Sequence, residues 1–319
     1  MKYCQTLDLL EKILKNNMGK LSVVISAFNE EKKIEDCLKS VSFADEIIFI
    51  DNSSTDSTSK IAKKHTSKVF VKENNPMLNV NKNFGFSKAS EEWILSLDAD
   101  ERVSEKLREE IKLAISDSQL ITSGYWIPRK NIIFGKWIEH TGWYPDYQLR
   151  LFKKGKGRFE EEHVHEMIKL EGKTDKLEST IVHHSYENVS HFLKKTLLYT
   201  ENEADQLIKK GYSFSWQDSI RFPTKEFVSR FFARDGYKDG LHGLVLSLLM
   251  AFYHLLVFVS IWEKLKFKQI EEKEFLPNVR QEFRKGHKEV FFWFSKASID
   301  TAKNPLKKLI LRIKSKISQ

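Results

Sequence analysis

The sequence contains only two cysteines, Cys4 and Cys37, among its 319 residues. Two cysteines cannot build a disulfide framework, and these two lack the spacing of a zinc site, so a reduced cytoplasmic setting is expected. Proline is also scarce, with six residues, while 41% of residues are hydrophobic and 30% are charged. This composition excludes a disordered chain and predicts one large core, or one core with a helical appendage.

The first 19 residues contain acidic side chains at Asp8 and Glu11 and no long apolar run. They therefore do not have the pattern of a secretory signal. The spacing of three leucines predicts a short amphipathic helix instead. These leucines are Leu7, Leu10 and Leu14.

Three apolar runs in the first hundred residues read as strands, and each of them ends in polar residues. They are 21–26, 46–50 and 93–97, and the third run leads into Asp98 and Asp100. Helix-like segments follow the first two runs, as in right-handed βαβ units. Because the carboxyl ends of parallel strands share one edge, we expect the polar residues to meet there.

Four motifs in this order resemble those of family 2 glycosyltransferases with the GT-A fold. They are Ser26-Ala27-Phe28-Asn29-Glu30, Asp51-Asn52-Ser53-Ser54-Thr55-Asp56, Asn83-Phe84-Gly85 and Leu97-Asp98-Ala99-Asp100-Glu101. Later motifs are similar to those of bacterial lipopolysaccharide-core glycosyltransferases of that family. They are Gln148-Leu149-Arg150-Leu151-Phe152, Val164-His165-Glu166, His183-His184-Ser185-Tyr186 and Asp239-Gly240-Leu241-His242-Gly243.

The resemblance implies an α/β fold of the GT-A type, which is Rossmann-like, with a mostly parallel sheet and flanking helices. The expected division is an amino-terminal amphipathic segment, a catalytic domain and a helical, membrane-associating carboxyl-terminal region. The corresponding boundaries are 1–19, 20–215 and 216–319.

By resemblance, a divalent cation, Mn²⁺ or Mg²⁺, compensates the charge of the departing diphosphate. Asp100 is expected to bind this metal directly, while Asp98 contacts the ribose or a metal-bound water. His183 or His184 would complete the metal shell, although either histidine could be structural.

The nucleotide sugar is expected to contact the ends of the first strands. By resemblance, the candidates there are Ala27, Asn29, Glu30, Asp51, Lys82 and Asp98. Asp51 would accept a hydrogen bond from the base or ribose, and Lys82 would contact a phosphate. Asp56 is equally suited to capping the next helix. Gln148 and Arg150 are interpreted as acceptor or pyrophosphate contacts, with an acidic loop as the alternative partner of Arg150.

Transfer to a sugar hydroxyl requires a general base. By resemblance, Glu166 is the first candidate and Asp146 is the reserve. The expected reaction inverts the anomeric centre without a covalent enzyme intermediate, so no nucleophilic Ser or Cys is expected.

The carboxyl-terminal part combines apolar and basic segments. Residues 241–262 contain no charged side chain and are long enough to span a bilayer, but polar residues interrupt them, so a buried or in-plane helix is expected and a true span is the alternative. From residue 296 onward there are seven Lys or Arg against one acid, and a helix starting near Pro305 would be amphipathic. A basic amphipathic helix is typical of a membrane-surface anchor, with a docked terminal helix as the alternative.

The sequence therefore predicts a peripheral enzyme at the cytoplasmic face of the inner membrane, with a single span at 241–262 as the alternative. By resemblance alone, UDP-glucose is the first donor to consider, and a lipopolysaccharide-core or other lipid-linked saccharide is the expected acceptor. A peptide or polyprenyl-phosphate transferase and a non-catalytic nucleotide-sugar-binding scaffold are the rivals. The net charge of +9 is not accompanied by a nucleic-acid-binding motif, so nucleic acid is not an expected partner. The sequence leaves open whether the protein forms a homo-oligomer.

Overall fold

The computed structural model describes residues 19–75, 77–116, 121–161, 166–270 and 273–317. The chain divides into two compact units. The first comprises the described residues up to Asn131 together with Pro145–Ser185. The second comprises Ile132–Tyr144 and the chain from Tyr186 onward, so it begins before the division proposed at residue 216 and includes an earlier segment. The predicted helix in the first 19 residues falls almost wholly outside the described residues.

Four parallel strands form one part of the sheet in the first unit. They are β1 (Leu21–Ala27), β2 (Glu46–Asp51), β3 (Lys68–Val71) and β4 (Trp93–Asp98), in the order β3-β2-β1-β4. Ala27 lies opposite Asp51, and Ser26 lies opposite Asp98. The carboxyl ends of β1, β2 and β4 therefore meet at one edge, as the sequence predicted.

Antiparallel pairs continue the sheet beyond β4, so the ten-stranded sheet is mixed. The further strands are β5 (Glu101–Val103), β6 (Thr122–Ile133), β7 (Lys136–Trp137), β8 (Asp146–Lys153), β9 (Gly157–Arg158), β10 (Lys169–Leu170), β11 (Lys173–Lys176) and β12 (Ile181–Tyr186). Strand β8 pairs with both β4 and β6, while β12 pairs with β5. Strands β9 and β10 form a separate pair.

Helices cover both faces of the parallel strands, which is why these strands are apolar on both sides. The helices are α1 (Ile34–Ser40), α2 (Thr58–Ala62), α3 (Leu78–Lys88) and α4 (Glu105–Ser116). Val23 packs in the cluster that contains residues of α1 and α4, whereas Val24 packs in the cluster that contains Phe86 of α3. A Cβ added at Gly85 would lie 2.5 Å from Cγ1 of Val24. The glycine is therefore required by helix–sheet packing.

The second unit is mainly helical. Its long helices are α5 (Val189–Lys209), α6 (Asp218–Val228), α7 (Leu241–Lys264), α8 (Phe275–Thr301) and α9 (Pro305–Ile317). Helix α7 packs against α5 and α6. Among the described residues it is the one helix that is long and apolar enough to cross a bilayer, by length and composition alone.

The motif that begins at Asp239 has a structural role within the second unit. The buried Asp239 carboxylate accepts hydrogen bonds from the His140 backbone N–H, at 2.9 Å, and the Thr141 hydroxyl, at 3.1 Å. A Cβ at Gly243 would lie 1.8 Å from the carbonyl oxygen of Gly236, so no larger residue fits there. The motif thus fixes a turn onto the start of α7.

Candidate functional site

Asp98 ends β4 at the shared strand edge, and its carboxylate pairs with two cations. Lys82 Nζ lies 2.6 Å from Oδ1, and Arg150 Nη2 lies 2.6 Å from Oδ2. Burial opposes ionisation of Asp98, but Arg150 and Lys82 outweigh it and hold its pKa well below the usual range. Asp98 is therefore an anion with its charge already compensated by the protein.

Glu101, directly after the aspartate pair, organises the side chains beneath Asp98. Its carboxylate is fully buried and lies 2.8 Å from Arg150 Nη2 and 3.5 Å from Arg129 Nη1. It also accepts the backbone N–H of Asp98 at 3.0 Å. A buried carboxylate is stabilised only by such partners. The position of Arg150 between Asp98 and Glu101 makes it part of the framework of the site.

Asp100 faces His183 of β12, with 3.6 Å between Oδ2 and Nε2. On its other side, His183 Nδ1 lies 2.6 Å from the side-chain oxygen of Asn131. Since an amide oxygen can only accept, Nδ1 carries a hydrogen, and Nε2 is the ring nitrogen that faces Asp100. A separation of 3.6 Å is too long for a hydrogen bond. It is shorter than two metal–ligand bonds of about 2.1 Å laid end to end, so both atoms can contact one cation.

His184 is placed differently from His183, because successive residues of a strand point to opposite faces. Its backbone N–H donates to the carbonyl oxygen of Asp100 at 2.9 Å, and a large part of the residue is accessible to solvent. Partial burial and the charge of Arg102 lower the pKa of His184. Of the two histidines, the geometry favours His183 as the partner of the Asp100 carboxylate.

The candidate nucleotide residues of β1 and β2 also build the loops that follow these strands. Asn29 adopts a positive φ of 54°, and its side-chain oxygen accepts the Thr55 N–H at 2.8 Å. Asp51 is buried and accepts the Ser54 N–H at 3.0 Å. The Ala27 carbonyl accepts the Asn52 N–H at 2.9 Å.

Two further side chains join the same loops. The Glu30 N–H donates to the Thr58 hydroxyl at 2.8 Å. Asp56 accepts the Thr58 N–H at 2.9 Å and the Glu31 N–H at 3.1 Å. Asp56 therefore connects the first residue of α2 to the loop after β1, while Ser57 is the N-cap of α2 and makes no side-chain capping bond.

The two candidate bases have different surroundings. Glu166 accepts hydrogen bonds from the Asn79 side chain, at 3.0 Å, and from the Glu160 N–H, at 2.9 Å. The neighbouring His165 lies outside the described residues. Asp146 accepts two hydrogen bonds from Arg129, at 2.8 and 2.5 Å, and one from Gln148 at 3.0 Å. Burial opposes ionisation of Asp146, but Arg129 and the hydrogen bonds outweigh it and lower its pKa.

Comparison with known proteins identifies the family. The family model "Glycosyl transferase family 2" matches residues 22–169. An uncharacterized glycosyltransferase of Rickettsia typhi is 30% identical over 264 residues, which cover 77% of this chain and 88% of the relative. The chain belongs to glycosyltransferase family 2. The lipopolysaccharide core biosynthesis glycosyltransferase LpsC of Rhizobium meliloti is 26% identical over 250 residues, covering 76% of this chain and 92% of LpsC.

Solved structures give weaker matches. Residues 1–349 of S. aureus TarS in complex with UDP are 13% identical at a TM-score of 0.40, covering 79% of this chain and 93% of that chain. Glucosyl-3-phosphoglycerate synthase from Mycobacterium tuberculosis, in complex with Mn²⁺, UDP and glucosyl-3-phosphoglycerate, is 21% identical at a TM-score of 0.30. That match covers 35% of this chain and 44% of the synthase.

Membership in family 2 confirms two predictions from the sequence. The protein is a glycosyltransferase, and its catalytic part has the GT-A type of α/β fold, here with a mixed sheet, followed by a helical carboxyl-terminal region. The individual roles assigned to site residues stay predictions.

The candidate metal ligands at this site suit a cation that takes its remaining ligands from the phosphate oxygens of a substrate. Among the residues that the structure describes, no three His, Cys, Asp or Glu side chains converge on one point. Asp100 and His183 offer two ligands, and Mg²⁺-type ions commonly use one or two carboxylates together with phosphate oxygens. Asp98 is less suited to direct ligation, because both of its oxygens are paired with cations.

Sequence reasoning missed the buried polar residues that support this site. Glu101 is the last residue of the motif that contains Asp98 and Asp100, but the sequence does not indicate that it pairs with Arg150 and Arg129. Asn131 lies in a strand and carries no motif. Asn81 donates to the side chain of Asn52 at 2.8 Å and to the Glu73 carbonyl at 2.9 Å. Such amides are recognised only once the strands and helices are assembled.

Proposed function

We propose that this glycosyltransferase moves a sugar, with inversion, from a nucleoside-diphosphate donor to a hydroxyl of a lipopolysaccharide-core or other lipid-linked saccharide. UDP-glucose is the first donor to test. The observation that carries the proposal is the Asp100–His183 pair beside Asp98, at the edge where the strands β1, β2 and β4 end. The similarity to LpsC supports the choice of acceptor class.

Asp100 and His183 would hold the cation, Mn²⁺ or Mg²⁺, in this proposal. When bound, such an ion compensates the charge of the departing diphosphate. Asn131 keeps His183 in the tautomer that can ligate, which is the usual task of a residue behind a metal ligand. Asp98, held by Lys82 and Arg150, is assigned to the ribose or a metal-bound water.

Glu166 remains the first candidate for the base that takes the proton of the acceptor hydroxyl, with Asp146 in reserve. The carboxylate of Asp146 is tied to Arg129, and its lowered pKa makes it the weaker base at neutral pH. In the described part of the chain, Glu166 accepts from neutral donors, the Asn79 amide and the Glu160 backbone N–H. These contacts support the order of the two candidates.

Membrane association at the cytoplasmic face is the proposed setting, with α7 lying in the plane of the interface. In the middle of α7, Tyr253 donates to the Glu203 carboxylate at 2.7 Å, and His254 lies 3.6 Å from Glu226. A spanning α7 would carry these carboxylates to the centre of the bilayer, where charges are costly. One face of α7 remains exposed and apolar, formed by Leu241, Leu248, Phe252 and Val259.

The test is a transfer assay with purified protein, a panel of nucleotide sugars and saccharide, peptide and polyprenyl-phosphate acceptors. We expect saccharide transfer that requires Mn²⁺ or Mg²⁺, and about 10³-fold slower turnover in Asp100→Ala. Turnover by Asp100→Ala near that of the wild type would contradict the metal role. Extraction of the membrane-bound protein by alkaline carbonate is expected for an in-plane α7, whereas resistance would indicate a span.

A further inference from the structure

Lys82 and Arg150 both neutralise Asp98, but their surroundings differ. Arg150 has a second anionic partner, Glu101, at 2.8 Å, and its side chain is 6% exposed. Arg150 therefore stays paired whatever happens at Asp98. In the described part of the chain, the ion pair of Lys82 is with Asp98, at 2.6 Å, and its other contact is the ring face of Phe159.

A lysine is well suited to leave such a pair. Its ammonium is a point charge on a flexible four-carbon stem, whereas a guanidinium binds in a fixed fork. The Asp98 side chain is 30% exposed and that of Lys82 is 12% exposed, so a ligand can reach the pair from the side of Asp98. A diphosphate brings more negative charge into this edge than one carboxylate and attracts the ammonium more strongly.

We infer that Lys82 is a transferable cation, held by Asp98 in the donor-free enzyme and passed to a donor phosphate on binding. The exchange replaces one ion pair by another, so no charge is left buried without a partner. It also frees Oδ1 of Asp98 to accept a hydrogen bond from the ribose or from a metal-bound water. This inference rests on the proposed function, because it assumes a nucleoside-diphosphate donor.

A double-mutant cycle on Lys82 and Asp98 tests the exchange, with UDP affinity measured by calorimetry in EDTA. We expect Lys82→Met to weaken UDP binding about tenfold, because a phosphate contact is lost. Asp98→Asn is expected to tighten UDP binding severalfold, because Lys82 is no longer held back. That gain should disappear when Asp98→Asn is combined with Lys82→Met. Uridine contains the ribose but lacks phosphate, so the coupling should vanish with it: Lys82→Met should change uridine affinity by the same factor with and without Asp98→Asn.

Two further variants serve as controls. Lys88→Met removes an exposed lysine from the same helix and is expected to leave UDP affinity unchanged. Lys82→Arg keeps the charge and is expected to keep the coupling to Asp98, so identical behaviour of Lys82→Arg and Lys82→Met would overturn the inference.

Different binding results would refute the exchange of Lys82 and the proposed donor class. If Asp98→Asn changes UDP affinity by the same factor with and without Lys82, the exchange is refuted while the nucleotide site stands. If the wild-type protein binds UDP neither in EDTA nor with Mn²⁺, the proposed donor class is refuted and the exchange with it.

Discussion

Asn131 joins Asp146 to His183. Its amide nitrogen lies 3.2 Å from Oδ2 of Asp146, and its amide oxygen lies 2.6 Å from Nδ1 of His183. Because a carboxylate can only accept, Asp146 fixes the orientation of the amide, and the amide in turn fixes the tautomer of His183. The reserve base and the candidate metal ligand are therefore parts of one hydrogen-bond chain.

His183→Gln is expected to weaken Mn²⁺ binding in the presence of UDP by 10-fold to 100-fold, roughly the effect of losing a metal-site residue. The matched control is His184→Gln, which changes the next residue on the opposite face of β12 and should leave the affinity unchanged. Titration of Mn²⁺ by electron paramagnetic resonance measures both variants. Equal losses in the two variants would argue against the assignment of His183.

Arg129→Gln distinguishes the two candidate bases. Removing the guanidinium raises the pKa of Asp146 toward its ordinary value, because the cation favours the charged carboxylate. If Asp146 is the base, the acid limb of the profile of kcat/KM against pH moves to higher pH. If Glu166 is the base, as we propose, this limb stays in place. Profiles of the two proteins between about pH 4 and 8 decide between these outcomes.

The parallel half of the fold could be predicted from sequence because its strands are apolar on both faces and end in polar motifs. Asp98 and Asp100 were found in this way. Arg129 and Asn131 could not be predicted as site residues. Both belong to the long strand β6, and they reach the site only because β6 lies between β8 and β12 in the sheet. The position of Arg150 could not be predicted either, because its partner Glu101 is brought to it and buried only by tertiary packing.

Glu46 provides a test of stability away from the candidate site. Burial alone would raise the pKa of this carboxyl, but hydrogen bonds from Lys68, Ser22 and Ser90 outweigh it and lower the pKa to about 2. A depressed folded-state pKa stabilises the protein above the ordinary pKa of 4.5, and this contribution is lost as the pH falls toward 2.

Glu46→Gln is therefore expected to lower the free energy of unfolding by about 2–3 kcal/mol at pH 7. The difference from the wild type should be constant above about pH 5.5 and should shrink as the pH falls toward 3. Urea unfolding at a series of pH values measures it. A difference that does not change with pH would show that packing, and not the charge of Glu46, is responsible.

The basic helix α9 is expected to bind anionic membranes through both of its faces. Leu306, Leu309, Ile310 and Ile313 are exposed on one face, between 45% and 66% of each residue. The helix carries five Lys or Arg and no acidic residue. Apolar side chains insert at the interface while basic ones contact anionic headgroups, each contributing about 1 kcal/mol near the surface.

Reversing three of these charges, by Lys307→Glu, Lys308→Glu and Arg312→Glu, is expected to weaken binding to vesicles with about 30% anionic lipid by 100-fold or more. Co-sedimentation measures this loss, and added salt should reproduce part of it in the wild type. The control variant reverses the exposed Lys209, Lys210 and Lys225, which changes the net charge equally but lies outside α9. Equal losses in the two variants would show that net charge, and not α9, directs the protein to the bilayer.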